Sequence, residues 1–216
     1  MWCCMTRKIA LHLICLAVLV SMLFSAVASA EIAVGVKQGD WIEYKVTCTG
    51  DVPEEHDVTW SKIEIISAEG KKIDIEITSR YSDGREETAT ATLNLETGQI
   101  GDGFIIPANL DNGDPIPEQY EGNITISGVE KRTYAGATRS VVYASTSLTM
   151  FYWDRSTGFL VEATSSYPDF TIITKADKTN MWQTQIFGID PIVFIVPIIA
   201  VIVAVLAFFL IRKMKK

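Results

Sequence analysis

The sequence predicts an all-β fold: an antiparallel meander forming a strongly curved sheet or half-barrel, followed by one C-terminal transmembrane helix. Three observations carry this reading. In KKIDIEITSRY, Ile73, Ile75 and Ile77 alternate with Asp74, Glu76 and Thr78, the period-two signature of a strand with one wet face. Similar runs follow one another, separated by short Gly-containing turns, and no stretch shows the 3.6-residue period of a long amphipathic helix. Finally, Ile192 to Ile211 is twenty residues without a charge. At about 1.5 Å of rise per residue, such a helix spans the roughly 30 Å of bilayer hydrocarbon.

The chain divides accordingly. Residues 1–30 have a basic start (Arg7, Lys8), an apolar stretch from Ile9 to Phe24 and the small-residue site Ala28-Ser29-Ala30. This is the layout of a cleaved secretory signal peptide; the rival reading is an uncleaved anchor. Residues 31–177 form an extracytoplasmic β domain, 178–191 a juxtamembrane linker, 192–211 the span and 212–216 a tail. Four of those five tail residues are cationic, which places them in the cytoplasm and the amino-terminal domain outside.

Charge follows this division. All 26 acidic residues lie between Glu31 and Asp190, against 13 of the 19 basic ones, a net charge of −13. Such a surface repels phosphate backbones and excludes nucleic acid as a partner. Cys3, Cys4 and Cys15 fall within the signal peptide, leaving Cys48 alone, so no intramolecular disulfide forms. Cys48 reads as a small buried hydrophobe on a strand.

The elements follow in order. WIEYKVTCT (41–49) is a strand with Ile42, Tyr44 and Val46 on one face, and GDVPEEHD is an acidic loop. SKIEIIS, KKIDIEITSRY and ETATATLNL are three strands linked at Ala68-Glu69-Gly70 and Ser82-Asp83-Gly84. Ile100 to Tyr120 breaks the rhythm with Gly and Asp-Asn-Gly turn points and Pro107, Pro115 and Pro117, and reads as one short edge strand and a long irregular loop. GNITISGVEKRTY, ATRSVVYAST, SLTMFYWD, FLVEATSSY and FTIITKA resume the meander, giving eight to ten strands.

Catalytic motifs are sparse. His56 is the single histidine after residue 30, in an acidic loop where it reads as solvated, and no HExxH, G-x-S-x-G or phosphate-binding Gly loop occurs. The chain therefore reads as no enzyme, with no cofactor. Asp102, Asp111, Asn112 and Asp114 form a turn-rich acidic loop with oxygen ligands suited to calcium but without EF-hand spacing; the same residues also simply make turns. Asn123-Ile124-Thr125 is the glycosylation sequon. In Leu148 to Trp153 both faces are apolar: Leu148, Met150 and Tyr152 share one, Phe151 and Trp153 the other. Either a loop such as 100–120 covers Phe151 and Trp153, or they contact an apolar ligand.

GDWIEYKV, TLNLETGQ, ITISGVEKRTYAGATRSVVYA and YWDRSTGFLVE resemble segments of uncharacterised archaeal surface proteins. The resemblance implies a signal peptide, one β-rich ectodomain and a C-terminal anchor. The last two segments are also similar to the strand–turn–strand pattern of periplasmic lipoprotein-carrier-like half-barrels, whose aromatic strand runs into a D-x-x-T-G turn. That resemblance implies acyl-chain binding inside a concave sheet. The expected function is a membrane-anchored β domain that binds an apolar or envelope ligand near the bilayer. A structural or adhesive surface protein is the rival, and an envelope hydrolase a third reading.

Overall fold

A computed structural model describes residues 32–101, 103–116, 124–185, 192–193 and 195–203. Eleven strands occur among them: β1 (Trp41–Gly50), β2 (Val58–Glu69), β3 (Lys72–Tyr81), β4 (Glu86–Asn94), β5 (Pro115–Ile116), β6 (Ile124–Thr125), β7 (Gly128–Tyr134), β8 (Ala137–Ser145), β9 (Thr149–Asp154), β10 (Leu160–Ser166) and β11 (Phe170–Thr179). Nine of them form one sheet in the order β4-β3-β2-β1-β11-β10-β9-β8-β7, and β5 pairs with β6 apart from it. Every ladder is antiparallel. The meander is interrupted once, where β11 returns to lie beside β1.

The alternating residues decide which face is buried. Ile42, Tyr44 and Val46 of β1, Ile63 and Ile65 of β2, Ile73 and Ile75 of β3 and Leu93 of β4 point to one side and lose contact with water. Their neighbours Glu43, Lys45, Glu64 and Glu76 point to the other. The Tyr44 hydroxyl, inside this core, donates to the Leu160 carbonyl at 2.7 Å, and burial pushes its phenol up from its ordinary value.

One measurement shows curvature. β7 and β11 stand four places apart in the sheet order, yet their Cα atoms come within 8 Å. A flat sheet would hold them about 19 Å apart at roughly 4.8 Å per strand. The β7 end of the sheet therefore curls back toward β11.

The segment after β4 departs from the expected short edge strand. Ile105 makes an isolated bridge to Phe159, and Pro115–Ile116 pairs with β6 instead of extending the main sheet. Its apolar members Ile100, Ile105, Ile106 and Ile116 are buried in the common core. Gly158 lets it approach so closely: at φ +74°, a Cβ there would collide with the Ile106 carbonyl oxygen. The acidic loop before β2 contains a single 3₁₀ turn, Glu54–His56.

Past β11 the chain stays on the domain. The Trp182 indole donates to the Tyr134 carbonyl, Gln185 N to the Gly136 carbonyl, and the Arg139 guanidinium lies over the Trp182 ring at 4.6 Å. Residues 192–193 and 195–203 are helical with exposed side chains. Among the described residues no helix is long and apolar enough to cross a membrane. The expected span continues to Ile211, and its last eight residues, like the expected signal peptide, lie outside the described residues.

Candidate functional site

Strand β9 carries the site because alternation sends its aromatics to opposite faces. Phe151 and Trp153 turn toward the core, stacked on each other with ring centroids 5.1 Å apart and planes at 15°. Met150 and Tyr152 turn away, and Leu148, just ahead of the strand, is 47% exposed. Tyr152 is covered by the Arg132 guanidinium, 3.8 Å above its ring, and leans on Tyr143.

The two inward rings play different parts. Trp153 is buried, and its indole N–H donates to the Gly103 carbonyl at 2.6 Å. The loop after β4 thus covers Trp153, one of the two readings the sequence left open. Gly103 sits at φ +70°, a left-handed backbone conformation in which a side chain would be strained. Phe151 is half-buried and keeps a free edge.

That edge lines a cleft of about 520 Å³. Ile100, Phe104, Leu160 and Trp153 form its inner wall, with Phe151 beside them. Leu148, Thr149, Ser165, Tyr167 and His56 lie toward the opening. No carboxylate is among its described lining residues. His56 is exposed, as expected of a residue in that loop, but its ring stacks with Phe170 at 5.9 Å and with Tyr167 at 6.4 Å. A mostly apolar concavity of this volume, with hydroxyls at its rim, falls in the usual size range of small-molecule sites.

Directly after β9, Asp154 organises the turn that holds β10 in register. Its buried carboxylate accepts from Arg139 Nε at 2.7 Å, Ser156 Oγ at 2.7 Å, Thr157 N at 2.9 Å and Thr157 Oγ1 at 3.0 Å. Burial pushes this carboxyl up, but the Arg139 guanidinium and the Ser156 hydroxyl outweigh it and hold it below the usual carboxylate range. The D-x-S-T-G sequence is thus a structural turn.

The other candidates are dispersed. Asp111 pairs with Arg155 at 2.8 Å, while Asp114 accepts the Asp111 backbone N–H at 2.7 Å. Both carboxylates serve the turn, and among the described residues no three His, Cys, Asp or Glu side chains gather as a metal site would require. Asp102 and Asn123 lie outside the described residues. Cys48 is half-buried, with Sγ 3.5 Å from the carbonyls of His56 and Val58, and burial with the nearby Asp57 pushes its thiol up. A thiol so held is a poor nucleophile.

The sequence reading named Phe151 and Trp153 but missed Ile100, Phe104 and Tyr167. The apolar triplet Phe104-Ile105-Ile106 within a Gly- and Asp-rich loop was the available signal that this loop turns inward. No family model matches this chain. No curated protein matches it either. A solved structure of the siderocalin Ex-FABP, described as functioning through dual ligand specificities, aligns at 11% identity with a TM-score of 0.24. The alignment covers 68% of this chain and 74% of that one. A score this low carries no argument.

Proposed function

We propose that this chain is a membrane-anchored, extracytoplasmic β domain, shaped as a half-barrel, that holds an apolar ligand without chemically changing it. The supporting observation is the cleft beside Phe151: about 520 Å³, apolar within, hydroxyl-bearing at its rim. Phe151 is its principal contact, because it presents ring surface to the cleft and is not needed to anchor a loop. Trp153 supports Phe151 from behind by stacking. Ligands of this kind are acyl chains or other slender apolar molecules, oriented by Thr149, Ser165 and the His56 ring at the opening. The anchor is the uncharged run that begins at Ile192, whose described part is helical and exposed.

The test is photolabelling of the full chain in lipid nanodiscs with a diazirine-bearing fatty acid. Label is expected on the peptide containing Thr146 to Phe151, and Phe151→Arg is expected to remove it, because a guanidinium would be desolvated in the apolar wall. Labelling confined to the apolar segment after Ile192, or insensitive to Phe151→Arg in a folded variant, would overturn the proposal.

A further inference from the structure

We propose that strand β4 is a docking edge for a second copy of this chain, joining two sheets through an isologous β4–β4 pair. β4 ends the nine-stranded sheet, and among the described residues its ladder runs to β3, with one further bridge from Asn94 to Gln99. Its nine residues pair with β3 without a register shift, from Lys72–Asn94 to Arg80–Glu86. The opposite edge, β7, curls toward β11. Proteins ordinarily blunt a long, regular edge with proline, charged side chains or a bulge; β4 has no proline, lysine or bulge, and its charges, Glu86 and Glu87, stand at its start.

Backbone geometry identifies which groups are open. Leu95 N–H bonds back to the Lys71 carbonyl, whereas Asn94 N–H points the other way, to the Gln99 carbonyl at 2.7 Å. Alternation along an antiparallel strand then turns the N–H and C=O of Glu86, Thr88, Thr90 and Thr92 outward as well. Gln99 caps Asn94, so the open edge is Glu86 to Thr92.

That segment, E-E-T-A-T-A-T, is complementary to itself. With a two-fold axis at Ala89, the outward residues pair as Glu86 with Thr92 and Thr88 with Thr90, forming about eight backbone hydrogen bonds across the two chains. The pairs directly opposite are then Thr88 with Thr90 and Glu86 with Thr92 on one face, and Ala89 with Ala89 and Glu87 with Ala91 on the other, each favourable or neutral. No like charges stand opposite each other. Glu86 and Glu87 are already matched within their own chain by Arg80 and Arg85, each at 2.6 Å. A partner of unrelated sequence would have no reason to find this symmetry, so the occupant is a second copy. None of the residues from Glu86 to Thr92 lines the cleft, and the proposal stands independently of the ligand.

Cysteine cross-linking of the full chain in detergent micelles tests the register. Ala89 is exposed and would sit in a non-hydrogen-bonded pair at the axis, with Cα atoms about 4.5 Å apart, within disulfide reach. Under mild oxidation Ala89→Cys is expected to give at least about tenfold more covalent dimer than Thr59→Cys, an exposed control on β2. Thr90→Pro removes an outward N–H while sparing the β3 ladder, so it is expected to keep the circular dichroism spectrum and abolish the dimer seen by sedimentation. Raising salt should tighten the association, because it screens repulsion between two acidic domains. A chain that sediments as a monomer, equal cross-linking at Ala89 and Thr59, or a dimer that survives Thr90→Pro would overturn the proposal.

Discussion

At the scale of single residues, the buried carboxylate of Asp154 bears the most. Six hydrogen bonds, from Arg139, Ser156 and Thr157, reach its oxygens, and its side chain is 1% exposed against 24% for Arg139. Asp154→Asn leaves that guanidinium facing an uncharged amide and is expected to cost about 3 kcal/mol in urea unfolding, the lower end for breaking a buried pair. The pH dependence has a definite sign. A carboxyl held below its unfolded value of about 3.9 stabilises the fold above that pH and loses its contribution as pH falls through the folded value. The wild-type midpoint should therefore drop in acid below about pH 4, and Asp154→Asn should flatten that limb. Neighbours on a single strand give a sharper contrast. Ile75 is buried in the core, so Ile75→Asp places an unpaired carboxylate there and should cost several kcal/mol. Glu76, one position on, points to the wet face, and Glu76→Gln should stay within about 0.5 kcal/mol of wild type in the same unfolding measurement. Equal effects would contradict the register.

At the scale of elements, Trp153 and Phe151 separate holding the fold from holding a ligand. Trp153→Ala removes a buried ring and orphans the Gly103 carbonyl, so a loss of about 3–5 kcal/mol is expected by thermal or urea unfolding. Phe151→Ala, at a half-buried ring, should cost clearly less and instead remove fatty-acid labelling. The strands were legible because one wet face imposes a period of two: WIEYKVTCT, KKIDIEITSRY and ETATATLNL fall within a residue or so of β1, β3 and β4. The division of β9 into two apolar faces was legible for the same reason. What covers each face was not, since alternation gives direction but not distance. Gly103 reaching Trp153 and Arg132 reaching Tyr152 are contacts across 50 and 20 residues, set by how the sheet curls. The pairing of β1 with β11 is equally non-local, since no turn connects them. His56 shows the limit at the site itself: an acidic loop reads as solvated, and its histidine is exposed, yet the fold lays its ring against Tyr167 and Phe170.

At the scale of the whole molecule, the ends of the strands acquire different roles. Trp182 and Gln185 fasten the chain to the β7–β8 hairpin, at the end where β11 finishes. The exposed rim of the cleft, Leu148 and His56, lies at the other end, where β8 runs into β9 and β10 into β11. Nine residues of β8 separate the two ends, about 27 Å at roughly 3.4 Å per residue. From Gln185 only six residues remain before Ile192, seven Cα–Cα steps with a reach of at most about 25 Å. If the apolar run from Ile192 enters the bilayer, the hairpin end faces the membrane and the cleft opens away from it. This orientation makes a depth prediction for the full chain in nanodiscs bearing headgroup-attached spin labels. A thiol-linked fluorophore at Thr133→Cys, an exposed position beside the hairpin tip, should be strongly quenched. The same fluorophore at Leu148→Cys should be quenched little, since it stands well beyond the contact range of the headgroup label. Equal quenching would mean that the domain lies on its side, and stronger quenching at Leu148 that it is inverted, with the cleft drawing its ligand directly from the bilayer.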